Sequence, residues 1–235
     1  MIICFDLDDT LYDEIKYVKS GFRAVSKYLS DLNILRITKN KIFTDLIEIL
    51  DLNGRGKVID IFLKNNNIYS KNLVLKCLSI YRKHKPKIKL NPNVNVILSR
   101  LKKKYGNMYL VTDGNLVVQR NKINALNLKK YFKKTIPTHQ YGIVNAKPSI
   151  YVFKKISTLE KKNISEIIYI GDNPNKDFIE LKKYGAVTVR VNQGMFKNLI
   201  LDKKYMADYE ITNLKYLDKL LNKLWNQVLK LVTLL

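Results

Sequence analysis

Cysteine is scarce in this sequence. The 235 residues include two cysteines, Cys4 and Cys77, which do not form the closely spaced pairs of a disulfide framework or a zinc site. We therefore expect two reduced, buried thiols in a cytoplasmic protein. The N-terminus also lacks a basic stretch followed by an apolar signal core, so secretion is not expected.

A long uninterrupted apolar run is also absent. The apolar C-terminal stretch YLDKLLNKLWNQVLKLVTLL is interrupted by Lys219, Lys223 and Lys230. This pattern predicts an amphipathic helix that packs on the body of the protein, and not a transmembrane span. Trp225 and the final leucines leave open a contact with a second copy or with a membrane surface. We expect a monomer or a homodimer.

Acidic residues are few relative to basic ones. The 20 Asp and Glu residues face 43 Lys and Arg residues, which gives a formal net charge of +23. One interpretation is a nucleic-acid or other anionic partner. The other is compositional drift, because lysine, asparagine and isoleucine are abundant throughout the chain. The lysines are dispersed, and no RNP-like, zinc-finger or helix-turn-helix signature accompanies them. A small phosphorylated substrate is therefore the expected partner, and nucleic acid is not.

Four short apolar runs end in polar or acidic residues, and longer helical patterns separate them. The runs are MIICFD, NMYLVTDG, IIYIGDN and AVTVRVN. Strands that alternate with helices are typical of a parallel sheet with crossover helices. The strands are almost wholly apolar, as a sheet covered on both faces requires. The sequence therefore predicts an α/β fold with a Rossmann-like parallel sheet.

The stretch from Glu14 to about Lys85 has no convincing strand. Its apolar residues follow helical periodicity, and the polar segments LNGRGK and NNNIYS divide it. This pattern predicts an α-helical domain inserted after the first strand. We assign residues 14–85 to the helical domain, and residues 1–13 and 86–235 to the α/β core.

Polar side chains with related chemistry follow the predicted strands. In open α/β sheets ligands bind beyond the carboxyl ends of the strands, so these side chains should meet at one edge. They are Asp6, Asp8, Thr112, Asp113, Asp172 and Asp177, with Lys147 just before a predicted helix. Several acids, one hydroxyl and one lysine suit a magnesium ion and a phosphoryl group.

Four motifs in this order resemble the haloacid dehalogenase superfamily, in its phosphatase branch with a helical cap inserted after the first strand. The motifs are DLDDT, VTDG, AKPS and GDNPNKD, and the resemblance covers nearly the whole chain. It implies a magnesium-dependent phosphomonoesterase that hydrolyses a small phosphorylated metabolite, either a sugar phosphate or a nucleotide. The reaction it implies passes through an aspartyl-phosphate.

The resemblance and the chemistry together imply roles for the residues of the first two motifs. Asp6 is the expected nucleophile. Asp8 is the expected proton donor to the leaving oxygen and the later proton acceptor from water. Thr112, with the backbone amides of Asp113 and Gly114, is expected to bind phosphate oxygens.

The last two motifs complete the expected site. Lys147 is expected to neutralise the charge on the nucleophile and the phosphoryl group, and so to serve both in catalysis and in phosphate binding. The expected magnesium ligands are Asp6, Asp8, Asp172 and Asp177. Asp177 has a second expected role, in which it orders Lys147 or a metal-bound water.

Each of these residues also has a structural interpretation. Asp9 is expected only to shape the turn that leaves the first strand. Taken singly, Thr112 fits an ordinary strand position, Lys147 a solvated loop, and Asp177 the start of a helix, where the dipole favours an acid. Their joint occurrence at predicted strand ends favours the catalytic interpretation.

Substrate specificity is expected to come from basic and polar residues of the inserted domain and of the segment after the second motif. A solvated surface is the alternative for each of them. The candidates are Lys16, Lys19, Arg23, Arg55, Arg82, His84, Gln119 and Arg120.

Other functions compete with phosphoester hydrolysis. A phosphotransferase or phosphomutase of the same superfamily differs only in the acceptor of the phosphoryl group, because a sugar hydroxyl and not water reacts with the aspartyl-phosphate. Dehalogenase chemistry needs neither a metal nor a second aspartate, so Asp8, Asp172 and Asp177 argue against it. A metal-dependent glycosyltransferase usually has its acidic pair after a complete nucleotide-binding unit, whereas here the pair begins at Asp6. The +23 charge motivates a basic nucleic-acid-binding or interaction protein without turnover.

Overall fold

The computed structural model describes residues 1–232, with side chains described through Asn226. Strands and helices alternate along most of the described chain; the exceptions are five successive helices after the first strand and two successive strands before the last helix. In chain order they are β1 (Ile2–Phe5), α1 (Ile15–Asp31), α2 (Lys39–Asn53), α3 (Val58–Asn65), α4 (Lys71–Lys83), α5 (Val94–Tyr105), β2 (Met108–Thr112), α6 (Leu116–Ala125), β3 (Lys134–Pro137), α7 (Tyr151–Glu160), β4 (Ile167–Gly171), α8 (Ile179–Lys183), β5 (Val187–Val191), β6 (Tyr209–Ile211) and α9 (Leu217–Val232).

The described strands form one six-stranded sheet with the order β3-β2-β1-β4-β5-β6, and all neighbouring strands are parallel. The first strand therefore lies in the middle, between β2 and β4. Its residues Ile2–Phe5 are all buried, as expected for a strand covered on both faces. The predicted α/β fold with a Rossmann-like parallel sheet is confirmed.

Two strands were not predicted from the sequence, and they are the two edge strands of the sheet. The edge strands β3 and β6 have the short sequences KTIP and YEI, each of which begins with two exposed or half-buried residues and is buried only at its end. Edge strands are short and polar because only one side pairs with a neighbour. They therefore lack the continuous apolar signal that predicted the four inner strands.

The chain divides into two compact units. The α/β unit contains Met1–Glu14, Lys89–Gln119 and the described residues from Leu126 onward, and the helical unit contains Ile15–Ile88 and Arg120–Ala125. The helical unit therefore includes the second half of α6, which no sequence pattern had indicated.

The helical unit has its own hydrophobic core. Apolar residues at helical spacing bury their side chains there, including Phe22, Leu46, Phe62 and Cys77. Side-chain oxygens cap two of its helices, because Thr38 accepts from the Lys41 amide and Ser70 accepts in the same way from Leu73 at the start of α4.

The C-terminal helix α9 packs on the α/β unit, as its amphipathic pattern predicted. Its leucines Leu217, Leu221 and Leu224 are buried, and the rings of Tyr105 and Trp225 meet edge to face at 6.4 Å. The final leucines, which left a second contact open, lie outside the described residues. Within residues 1–232, none of the helices is both long and apolar enough to cross a membrane.

Both cysteines are free and buried, as their spacing predicted. Burial raises the pKa of the Cys77 thiol to about 11 and that of Cys4 further still. Because the thiolate is the reactive form, neither side chain is a candidate nucleophile.

Candidate active site

The carboxyl ends of the three central strands bring the predicted site together. Asp6 follows β1, Thr112 ends β2, and Asp172 follows β4. Because β1 pairs with both β2 and β4, these three residues begin adjacent loops at one edge of the sheet. The backbone continues the pairing one residue past β1, since the Asp6 amide donates to Ile170 O at 2.8 Å.

Three buried carboxylates form a cluster at this edge. Asp6, Asp172 and Asp177 each place one oxygen within 4.8 Å of the other two. Burial, and then the charges of Asp177 and Asp6, raise the pKa of Asp172 to about 9. Burial also raises the pKa of Asp6 to about 6, against the lowering effect of Lys147. The cluster therefore holds more negative charge than its neighbours neutralise, which fits a small divalent cation with oxygen ligands.

Lys147 is the cation inside this cluster. Its Nζ lies 2.8 Å from Asp6 Oδ1 and 2.7 Å from Asp177 Oδ1, and it donates to Tyr169 Oη at 2.6 Å. The approach to Asp6 is an ion pair, because its angles are not those of a hydrogen bond. Burial would lower the pKa of Lys147, but Asp177 and Asp6 raise it well above its ordinary value. The side chain is therefore a buried ammonium.

Asp177 holds Lys147 in place. Its Oδ1 accepts from Lys147 and from the Tyr169 hydroxyl, and its Oδ2 accepts from the Asn173 amide at 2.9 Å. Only a glycine fits at Gly171, since an added Cβ would lie 2.5 Å from Asp177 Oδ2. This network accounts for the second role predicted for Asp177, the ordering of Lys147.

The same network shortens the helix that follows β4. The stretch NPNKDFIELKKYG is one of the helical patterns that separate the apolar runs, and it begins at Asn173, but α8 begins only at Ile179. The Asn173 side chain accepts from the Asn175 amide, and Asp177 accepts from the Asn173 amide. Side chains that bond nearby amides in this way stabilise a turn instead of a helix.

Asp8 lies outside the three-carboxylate cluster. It is half-buried, and its oxygens accept from the Tyr12 hydroxyl at 2.6 Å and from Gln119 Nε2 at 3.0 Å. Gln119 also donates to Asp113 O at 2.7 Å. The structure thus brings Gln119, a predicted specificity residue, to the predicted proton donor, and it does not bring the Asp8 carboxylate to the other predicted metal ligands.

Thr112 and its neighbours form the remaining part of the site. Thr112 is 1% exposed, and its Oγ1 has no hydrogen-bond partner among the described residues. A buried hydroxyl without a partner costs about 1–3 kcal/mol, which a ligand oxygen would offset. Gly114 has a φ of 128°, and an added Cβ there would lie 2.6 Å from Gln119 Nε2.

The Asp113 carboxylate joins three segments of the α/β unit. Its Oδ1 accepts from Thr138 Oγ1 at 2.6 Å and from the Lys147 amide at 3.2 Å, and its Oδ2 lies 3.1 Å from Lys176 Nζ. Burial would raise the pKa of Asp113, but Lys147 and Lys176 hold it below its ordinary value. Asp113 is therefore ionised and positions the backbone of Lys147.

Asp9 has the turn role predicted for it. It has a left-handed φ of 51°, and its carboxylate accepts from the amides of Glu14 at 2.8 Å and Met195 at 3.1 Å. Its oxygens are thus occupied by backbone amides of two segments.

Most of the predicted specificity residues lie in the helical unit and not in the α/β unit. They are Lys16, Lys19, Arg23, Arg55, Arg82, His84 and Arg120, and all of them except the half-buried His84 are exposed. Arg23 stacks over the ring of Phe43, 4.5 Å from its centroid.

His84 is a neutral structural residue. Its Nδ1 donates to Tyr81 O at 2.6 Å, and its Nε2 accepts from the Ser20 hydroxyl. The Ser20 oxygen in turn accepts a hydrogen bond from the Lys87 amide. Burial lowers the pKa of His84. It therefore does not supply the positive charge that the sequence suggested.

Several residues of the site were not singled out from the sequence. Tyr169 contacts Lys147 and Asp177, Tyr12 donates to Asp8, and Lys176 pairs with Asp113. Two of them stand out in the sequence, because Tyr169 interrupts the aliphatic run IIYIGDN and Lys176 lies within the motif GDNPNKD. Their partners depend on distances between separate loops, which the sequence does not show.

A buried aspartate–lysine ion pair beside two further carboxylates thus lies at the carboxyl edge of a parallel sheet, where open α/β folds bind their ligands. The chain belongs to the haloacid dehalogenase-like hydrolase family, which matches residues 3–191. The resemblance stated from the four motifs is thereby confirmed, as is the expectation that the protein is an enzyme.

Curated relatives and solved structures agree with this family. The chain is 29% identical over 221 residues to the glyceraldehyde 3-phosphate phosphatase of Methanocaldococcus jannaschii, covering 92% of this chain and 94% of the relative. It is 28% identical over 230 residues to the enzyme of the same name from Pyrococcus furiosus, covering 94% and 93%. The magnesium-bound HAD-hydrolase YfnB of Bacillus subtilis has a TM-score of 0.69 at 19% identity, covering 94% of this chain and 98% of that one, which shows the shared fold.

Proposed function

We propose that this protein is a magnesium-dependent phosphatase that hydrolyses a small phosphorylated metabolite through phosphorylated Asp6. The observation that carries the proposal is the position of Asp6, which follows the central strand, 2.8 Å from the buried Lys147 ammonium and within the three-carboxylate cluster. The substrate class that we favour is a short sugar phosphate, because two relatives that match over most of this chain are named glyceraldehyde 3-phosphate phosphatases.

Asp6 begins the reaction as the nucleophile. One carboxylate oxygen attacks phosphorus in line, so that the new P–O bond forms as the bond to the ester oxygen breaks. Lys147 keeps Asp6 ionised, since its charge opposes the effect of burial on the pKa of Asp6. Thr112 Oγ1, which lacks a partner among the described residues, donates to a phosphoryl oxygen.

Asp8 moves the protons in both halves of the reaction. It first protonates the leaving oxygen, and then takes a proton from the water that attacks the phosphorylated Asp6. Tyr12 and Gln119 hold the Asp8 carboxylate from both sides and so orient it. Because both Asp8 oxygens have these partners and lie outside the carboxylate cluster, we assign Asp8 the proton-transfer role and not a carboxylate ligand role.

Asp6, Asp172 and Asp177 are the residues that would hold magnesium. The raised pKa of Asp172 fits such a site, because three buried carboxylates face one buried ammonium there. When bound, magnesium supplies positive charge that offsets the repulsion between the phosphate and the carboxylates.

We propose that the helical unit is the cap of this enzyme. It is inserted in the chain directly after the loop that carries Asp6 and Asp8, and it holds most of the basic residues considered for specificity. A cap limits the size of the substrate and the access of water. A phosphorylated protein is therefore not the expected substrate.

A screen of phosphorylated metabolites, with magnesium and with a chelator, tests the proposed function. We expect release of inorganic phosphate from at least one short sugar phosphate, dependent on magnesium and lost in Asp6→Asn. The matched control is Asp202→Asn, which changes an exposed aspartate of the same unit. Transfer of the phosphoryl group to a second sugar without release of phosphate would indicate a phosphotransferase instead. Absence of any magnesium-dependent turnover across the panel would contradict the proposal.

A further inference from the structure

Lys147 is enclosed by oxygen atoms of the protein. Its Nζ has three of them within 2.8 Å, from Asp6, Asp177 and Tyr169, and it donates hydrogen bonds to the last two. Its side chain is also only 1% exposed, so a substrate has almost no surface of Lys147 to contact. Lys147 therefore neutralises and positions Asp6 from inside the protein, and a second, more exposed cation would add donors for the phosphoryl oxygens.

Strand order places Lys176 across the site. Asp113 directly follows β2, and Lys176 belongs to the loop after β4, yet Lys176 Nζ lies 3.1 Å from Asp113 Oδ2. Because β1 lies between β2 and β4 in the sheet, this ion pair spans the carboxyl end of β1. Asp6 is the first residue beyond that end.

Lys176 also has the freedom that Lys147 lacks. Its side chain is 30% exposed. Asp113 is the hydrogen-bond acceptor of its ammonium among the described residues, which leaves two N–H donors for a ligand.

We propose that Lys176 donates to the phosphoryl oxygens of the bound substrate and that Asp113 holds it in position over Asp6. This inference rests on the proposed phosphatase function. It assigns two lysines to the neutralisation of the negative charge on the nucleophile and the substrate. Lys147 serves the nucleophile from inside the protein, and Lys176 serves the substrate from the solvent side. Asp113 keeps its acceptor role throughout, because its other oxygen is already occupied by Thr138 and the Lys147 amide.

The alternative is that Lys176 only ties two loops together. That role would appear in the stability of the fold and not in the affinity for phosphate. The substitution Lys176→Arg also distinguishes the phosphate-binding role from the loop-tying role, because arginine retains the charge and the N–H donors that a phosphate needs.

The direct test is titration of inorganic phosphate into the full chain, in magnesium buffer, by calorimetry. The parent is Asp6→Asn, which removes the nucleophile and keeps the pocket free of chemistry. We expect Lys176→Met in this parent to weaken phosphate binding roughly 10- to 100-fold, as expected for loss of a hydrogen bond to a charged group. Lys176→Arg should recover most of the affinity. The matched control is Lys183→Met, an exposed lysine of α8, which should stay within about twofold of the parent.

Thermal unfolding of every variant is measured in parallel, and Lys176→Gln replaces Lys176→Met if the latter fails to fold. Equal phosphate affinity in the parent and in the folded Lys176 variant would overturn the inference. Phosphate binding could depend on Lys176 while the wild-type protein, which retains Asp6, hydrolyses no phosphomonoester. That result would contradict the proposed function and still support the contact between Lys176 and phosphate.

Discussion

Lys147 Nζ lies 2.7 Å from Asp177 Oδ1, and the two side chains are 1% and 0% exposed. A buried ion pair of this kind is costly to break, because removal of one partner leaves the other charge without compensation. Lys147 therefore contributes to the stability of the fold as well as to the proposed chemistry.

Lys147→Met should destabilise the metal-free protein by about 3–5 kcal/mol at neutral pH, because Asp6 and Asp177 lose their counter-charge. The free energy of unfolding in urea, measured with a chelator present, checks this. Lys183→Met is the control, since Lys183 is 60% exposed and pairs with Glu180 on the surface of α8. A Lys147 variant as stable as the wild type would show that the pair carries no net stability.

Tyr169→Phe should lower kcat and leave the fold largely intact. The lost hydroxyl accepts from Lys147 at 2.6 Å and donates towards Asp177 at 3.3 Å, so its removal loosens the lysine that positions Asp6. The loss of stability should be about 1 kcal/mol, typical of one hydrogen bond. Steady-state kinetics and urea unfolding provide the two measurements.

Tyr109→Phe is the matched control for that substitution. Tyr109 is also a buried tyrosine of the sheet, but its hydroxyl contacts Glu160, which belongs to α7 and not to the site. The prediction fails if both tyrosine variants lose activity to the same extent.

Without metal, the stability that depends on Asp172 should fall as the pH rises. The pKa of Asp172 is raised from 3.8 to about 9, first by burial and then by Asp177 and Asp6, so the folded state binds this proton more tightly than the unfolded chain. Its contribution is complete below pH 3.8 and is lost as the pH rises towards about 9.

Asp172→Asn, which cannot ionise, should therefore gain stability relative to the wild type as the pH rises through that window. Unfolding midpoints with a chelator, at a series of pH values, measure the difference between the two proteins. Magnesium should stabilise the wild type, by about 2.7 kcal/mol at 100 times its Kd, and not the variant. A difference that does not change with pH would be inconsistent with the raised pKa.

Gly171→Ala should reduce both activity and stability. The added Cβ would lie 2.5 Å from Asp177 Oδ2 and 3.0 Å from a Tyr169 ring atom, so Asp177 must move away from the Asn173 amide and from Lys147. We expect a loss of about 1–3 kcal/mol, as for other overpacked sites. Kinetics and thermal unfolding measure the two effects.

Gly56→Ala is the control for Gly171→Ala. No described atom lies within 4 Å of an added Cβ at Gly56, so that substitution should change neither property. Unchanged activity in Gly171→Ala would mean that Asp177 tolerates displacement, which would weaken its assigned role in holding Lys147.

The sequence alone determined the fold class and the edge of the sheet at which the site lies. Continuous apolar runs predicted the inner strands, and the polar residues that end them, such as Asp6, Thr112 and Asp172, had to meet because parallel strands share one carboxyl edge. The four motifs added the family and the proposed chemistry. These conclusions depend on local patterns, which the linear sequence displays.

Only the tertiary structure decided which of these side chains contact one another. It separates the Asp8 carboxylate from the cluster of three carboxylates, leaves His84 neutral, and pairs Lys176 with Asp113 across β1. It also buries Lys147 among oxygen atoms of the protein, so that a more exposed lysine not singled out from the sequence becomes a further candidate for phosphate binding. Hydrogen bonds and ion pairs form over about 3 Å between loops far apart in the chain, and only the folded arrangement of strands brings such groups to that distance.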